Sequence, residues 1–542
     1  MKMKKALCTV LALVLAIGML AGCTSSLAET GADISAFVDN GEKLEIKWLS
    51  YHAYLAGCTE GTATELMLED KFNIEIKPTF TDNGSKGYND KKNALLQSGD
   101  IPDLVYELDP GYLQADARDE FLFEVPYEAI EKYAPSLYAA VNEKAPAAWS
   151  YSYYDGKNYG MPNMNQGHVT GKAVGYRGDW LEKVGMDIPE TLDELHEVLY
   201  AFVHDDPDGN GKDDTYGYMN YTPSWEGYFG EIFGAYDVLP FDWQEVDGEI
   251  VYGGLRQEAE DVLAVLATWY KEGLIYPGFI EADQTIYQLM QSGKAGYQPN
   301  YGYEDPTVET TSTGVIISKF PGAKIVYGKP VKGPDGDFGF RSWGDPCHAI
   351  AFGANGEDTP VKVTRLLSMF ETIYNDTDLL IEARLGKEGV TYNWDKESKS
   401  ASSYKATEEY KEASKRRLEG YEFAFSGPTY WTPFAPKDEV YEMGLSDGYK
   451  TWMAQYLDPE SNIVDVFYKP DIVPSAPTYI QDLRNQQMAL MSQIIKGEKP
   501  ADQYIEEFTK IWEGTGGPVL LEEAKQQQSI IDEIYAKIGI EK

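Results

Sequence analysis

Between residues 44 and 106 the chain alternates strand-forming and helix-forming stretches, and this alternation limits the fold more than any other feature. Leu44–Ser50 and Asn73–Pro78 read as strands, with a helical apolar spacing over Thr62–Phe72 between them. A second helical stretch, Asp90–Gln97, precedes a third strand around Asp103–Tyr106. Strands separated by helices cannot pair through tight hairpins, so they lie parallel and the helices form the crossovers. The sequence therefore predicts an α/β fold built on a parallel sheet.

A second unit begins near Gly156–Pro162. It holds a short helix over Asp179–Val184 that ends at Gly185, and then a helix announced by Thr191 and Glu194. A Thr followed three residues later by Glu is a capping box, which satisfies the free N–H groups of a first helical turn. Leu192, Leu195, Leu199, Phe202 and Val203 give that helix one apolar face. Pro360–Tyr374 repeats this periodicity, and a helical tail runs from Tyr479 to Ile538 with a break at Gly516-Gly517-Pro518.

The amino terminus predicts export. Lys2, Lys4 and Lys5 precede an apolar stretch from Ala6 to Leu20, and Leu20-Ala21-Gly22 leads into Cys23. This order marks a secretory signal, and its apolar core is short for a membrane span. The Leu-Ala-Gly-Cys junction resembles a bacterial lipoprotein box. It places a diacyl anchor on Cys23, with two chains giving stable attachment to the outer face of the cell membrane. Thr24–Asn40 then forms a polar tether.

The 542 residues allow two or three domains and a large core. A formal net charge of −41 repels nucleic acids and polyanions, so no nucleic-acid partner is expected. Five His, with no His-x-x-His or Cys-x-x-Cys spacing, argue against a zinc site. Cys58 and Cys347 are compatible with a disulfide or with two thiols. The 40 Tyr outnumber the 20 Phe, a bias that suits a wet groove, because a ring with a polar tip matches a sugar's flat C–H face and its hydroxyls.

Residues 206–214 read Asp-Pro-Asp-Gly-Asn-Gly-Lys-Asp-Asp. Oxygen side chains stand at loop positions one, three and five (Asp206, Asp208 and Asn210), with glycine at six. The carbonyl of Lys212 and the side chain of Asp214 supply positions seven and nine. Hard oxygens at alternate positions wrap a large hard cation, so the loop predicts a structural calcium site. The usual Glu at position twelve is replaced by Gly217, and no exiting helix is evident.

Several stretches together resemble the family 1 extracellular solute-binding proteins. They include Asp100–Leu104, Gly156–Pro162, Tyr176–Gly185, Pro189–Glu194 running into the acidic loop, Gly389–Asp395 and Gly516-Gly517. The calcium loop points to the long branch of the family, which includes alginate- and other oligosaccharide-binding proteins. The resemblance implies a two-lobed, type II periplasmic-binding-protein-like fold with a hinge and an interlobe cleft. It divides the chain into a signal (residues 1–22), a tether (23–41), a first lobe (42–160, continued at about 338–395) and a second lobe (161–337, continued at about 396–542). It further implies a monomeric, non-enzymatic receptor that delivers an oligosaccharide to the permease subunits of an ABC importer. Thr215 departs from the family pattern, standing where an acidic ligand is common, and the negative surface favours a neutral sugar.

The expected ligand-binding rings, chosen by position, are Trp48, Tyr51, Trp225, Tyr301, Tyr303, Trp343, Tyr430 and Trp431. No catalytic residue stands out. The alternatives are a peptide or signal receptor of the same fold and a tethered glycoside hydrolase, whose paired carboxylates no local motif identifies.

Overall fold

The first strand forms at Leu44–Leu49, with Ile46, Trp48 and Leu49 buried while Glu45 reaches solvent. The structure is a computed structural model that describes residues 32–49, 60–81, 84–164, 172–220, 224–280, 285–304, 306, 310–344, 346–394, 404–423 and 429–540; the side chain of Cys347 is not among the described features. The helix Ala63–Phe72 is capped by Thr62, and Glu65 returns its carboxylate to the Thr62 N–H. Asn73 ends it in the left-handed conformation and turns the chain into the strand Ile74–Thr79. The next helix, Ser85–Ser98, starts earlier than the apolar spacing predicts because its first turns bury only Tyr88, too little for an apolar period to show.

The strands Ile74–Thr79, Leu44–Leu49 and Leu104–Glu107 lie side by side and parallel, as expected. Pro346–Phe352 and then Gly160–Met164 complete a five-stranded sheet, and Pro346–Phe352 runs antiparallel to both of its neighbours. Gly160 is required at this contact, since a Cβ there would lie 2.2 Å from the carbonyl oxygen of Ile350. A second sheet centres on Val174–Arg177, flanked antiparallel by Tyr297–Gln298 and Ile325–Gly328.

Two large apolar cores result. The first gathers residues from Phe37 to Met161 and from Ile350 to Val440. The second gathers residues from Val174 to Phe340 and from Phe467 to Ile531. The chain passes from the first core to the second after Met164, returns after Phe340 and crosses again before Phe467. Two of these crossings are joined, because Phe340–Ser342 pairs in parallel with Asn462–Val464. The short 3-10 segment Pro146–Ser152 and the last helix, Gly517–Ile538, contribute side chains to both cores.

The tail folds as three helices, Ala476–Ile495, Tyr504–Gly514 and Gly517–Ile538. The break at Gly516 is the expected one, and a Cβ there would strike the Tyr479 ring. The break after Ile495 is an addition, made where Gly497 and Pro500 interrupt the helical pattern.

Candidate ligand-binding site

Where the paired crossing strands meet the second core, a cavity of about 160 Å³ is lined by Lys172, Tyr218, Glu226, Asn300, Arg341 and Trp343, among others. Arg341 and Trp343 stand two residues apart at the end of a strand, which sends both side chains to one face. The Arg341 guanidinium lies 3.6 Å from the Trp343 ring centroid and 5.0 Å from that of Trp225. The two indoles meet edge to face at 6.0 Å, and Arg484 covers Trp225 from 3.7 Å. Each such cation–ring contact contributes about 1–2 kcal/mol when desolvated.

Arg341 is held by a two-pronged pair with Asp242 at 2.6 and 3.1 Å, buried on both sides. Asp465, on the neighbouring crossing segment, accepts the Trp243 and Phe467 backbone N–H groups at 2.6 and 2.7 Å. Burial, reinforced by Asp242, pushes the Asp465 carboxyl up to about 8. The indole platform is thus fixed from beneath by a buried ionic network. The backbone around the cavity is also unusual: Phe229 and Asn300 are both left-handed, with φ of 48° and 52°. Asn tolerates that region, whereas for Phe it costs roughly 1–2 kcal/mol. Phe229 is held there by its N–H bond to the Asn220 side chain and by stacking on Tyr218.

The structure brings together two of the expected rings, Trp225 and Trp343. Five others are corrected to packing residues. Trp48 is 1% exposed and packs on Phe370 and Trp431 at 6.0 Å each, so the first core takes both indoles. Tyr430 stacks on Phe80 and donates its hydroxyl to the Thr79 carbonyl. Tyr301 is buried in a small separate cluster, bonded to Glu304 and Thr313. Tyr303 is half-buried against Tyr449 and Trp452, away from the cavity. Tyr51, Cys23 and Cys58 lie outside the described residues. Lys172, Tyr218, Glu226, Asn300 and Arg341 were not foreseen. Of these only Arg341 leaves a sequence signal, its alternation with Trp343.

The acidic loop closes on itself. Asp206 accepts the N–H groups of Asn210 and Gly211 at 3.0 and 3.1 Å, and Asn210 accepts that of Lys212. The Asn210 amide NH₂ faces Asp208 and Asp214 at 2.6 and 3.0 Å, and Lys294 pairs with Asp214. The bonds from Lys294 and Asn210 hold the Asp214 carboxyl below its usual range. Among the described residues no group of three or more His, Cys, Asp or Glu side chains is arranged to hold a metal ion. Thr215 turns away and donates to the Phe202 carbonyl at 2.7 Å. Gly217 cannot be replaced by the usual acid without displacement, because its Cβ would lie 2.7 Å from the Leu274 carbonyl oxygen. The chain leaves the loop extended, bridging Ala295 and Ile275, where an EF-hand would continue as a helix.

Two cores joined by crossing strands, with an indole-lined cavity at the crossing, give a two-lobed α/β fold similar to that of the extracellular solute-binding proteins. No family model matches the chain. It is 28% identical over 387 residues to the polygalacturonan/rhamnogalacturonan-binding protein YtcQ of Bacillus subtilis, covering 70% of this chain and 73% of that one. It is also 28% identical over 391 residues to Lipoprotein LipO of the same organism, with the same coverage. The structure of the ABC-transporter substrate-binding protein FusA of Streptococcus pneumoniae, an EF-hand mutant in complex with fructo-nystose, has a TM-score of 0.59 at 19% identity. That match covers 91% of this chain and 99% of FusA. The expected family resemblance and fold class therefore hold.

Proposed function

We propose that this chain is the capturing receptor of an ABC importer. It takes up an oligosaccharide between its two lobes and hands it to permease subunits without chemistry. The observation that carries the reading is the indole platform of Trp225 and Trp343, set on a buried ionic network where the chain crosses between its cores. Similarity to YtcQ over most of the chain, and the FusA fold bound to fructo-nystose, support a sugar as the ligand. The lobes follow the two cores. The first core takes residues 42–160 and the return from about 338, which the packing of Tyr430, Trp431 and Val440 extends beyond 395. The second lobe is assigned 161–337, less the strand Gly160–Met164 that stays with the first sheet, and the remainder of the tail. A diacyl group on Cys23 tethers the monomer to the outer face of the membrane, and similarity to a lipoprotein supports this.

Calcium fits the acidic loop as a structural ion. Asp206, Asp208, Asp214 and the Lys212 carbonyl are at hand, and a half-turn of the Asn210 amide presents oxygen in place of NH₂. The EF-hand named for FusA supports the assignment.

Thermal shift and calorimetry against neutral, acidic and fructose oligosaccharides and a peptide panel test the receptor reading. A sugar at 100 times its Kd stabilises by about 2.7 kcal/mol. Trp343→Ala should weaken binding by roughly 1–3 kcal/mol, as for loss of a buried apolar face. The bound sugar should be recovered intact by mass spectrometry after overnight incubation with stoichiometric protein; cleavage in proportion to protein would establish a hydrolase, and stabilisation by peptides alone a peptide receptor.

A further inference from the structure

The cations around the cavity differ in one respect. Arg341 is matched by Asp242, and Arg484, which covers Trp225, pairs with Asp471 at 2.9 Å. Lys172 lines the same cavity, yet its ammonium makes no ion pair and no hydrogen bond among the described residues; the residue is fixed only through its backbone N–H, which donates to Ser461 Oγ at 3.2 Å. In a chain with 88 acidic side chains against 47 Lys and Arg, an unmatched cation in a cleft is conspicuous. Its surroundings take it out of water without returning a counter-charge, and burial alone holds the ammonium below the usual lysine range. A partly desolvated charge costs several kcal/mol unless it is paired. Among the described residues the one acid lining the cavity is Glu226, which is exposed.

We propose that Lys172 makes this cavity a subsite for a carboxylated sugar, with the ring of a hexuronic acid unit against Trp343 and its carboxylate on the Lys172 ammonium. The proposal rests on the oligosaccharide-receptor reading and reverses the neutral ligand expected from net charge. Net charge governs the approach of a ligand through water, where at physiological salt it is screened within about 8 Å. The fit inside the cleft is set by the few groups that touch it, and there the unsatisfied charge is positive.

Calorimetry with tri-galacturonic acid, its fully methyl-esterified form and fructo-nystose tests this on the full mature chain. Wild type should bind the free acid at least about tenfold tighter than the ester, since esterification removes one charge-assisted bond. Lys172→Met should bind the two alike with a melting temperature no lower than that of wild type, because no internal partner is left behind. Lys172→Arg should retain the preference. Wild type that binds the ester as well as the acid, or Lys172→Met that keeps the preference, overturns the proposal. Binding of fructo-nystose without tri-galacturonic acid overturns it and leaves the sugar-receptor reading intact. Failure of all three sugars removes both.

Discussion

Single residues show two ways of burying charge in this protein. Lys92 sits fully buried between Glu107 at 2.5 Å and Asp116 at 2.6 Å, pinning the helix Ser85–Ser98 to the first sheet. Lys92→Met should cost about 3–5 kcal/mol in urea unfolding, because two carboxylates then face each other in the dark; an unchanged midpoint would show that one of them already carries a proton. Glu231 takes the other course. It accepts the Val331 N–H and the Tyr297 hydroxyl without a cation, and burial pushes its carboxyl up to about 8. The folded state therefore binds more protons than the unfolded chain between about pH 4.5 and pH 8. Stability falls as pH rises through that window, by up to about 1.4 kcal/mol per unit. Glu231→Gln should flatten this slope; stability–pH profiles that run parallel for the two proteins would contradict a protonated Glu231.

At the scale of elements, the acidic loop gives the clearest test. EGTA should lower the melting temperature, calcium should restore it better than magnesium, and Asp208→Ala should remove the response. Magnesium demands a tighter octahedron and loses water reluctantly. A metal-loaded protein indifferent to chelator would deny the ion a structural role. The turn of this loop was legible because its Asp, Asn and Gly residues are encoded within a few positions, as is the Thr191 capping box, whose two bonds form as read. The parallel strands were legible for the same reason. Strands such as Pro346–Phe352, which join the sheet from far along the chain, leave no local signature. Trp48 shows the same limit: its position at a strand end suggested a cleft, but Trp431, remote in sequence, closes over it. Lys172 was invisible because its meaning lies in what does not surround it.

For the whole molecule, the crossing segments must bend if the lobes close on a ligand. The paired strands Phe340–Ser342 and Asn462–Val464 are too well tied, by Arg341–Asp242 and by Asp465 to the Trp243 backbone, to be the pivot. Just beyond them stand two left-handed residues, Gly344 with φ 65° and Tyr468 with φ 62°. A Cβ on Gly344 would lie 2.5 Å from the Tyr468 ring, and its φ strains any other residue, so both crossings turn where that ring packs on the Gly344 backbone. Hinges are a few such positions that absorb a large change in dihedral angle. Sugar binding should shrink the radius of gyration in X-ray scattering. Gly344→Ala should reduce that compaction and weaken the sugar by about tenfold, near 1.4 kcal/mol, while Trp343→Ala should weaken binding yet leave the compaction at saturation unchanged. A Gly344→Ala protein that binds and compacts like wild type would move the pivot elsewhere, and a wild type that binds without compaction would mean that capture occurs on one lobe alone.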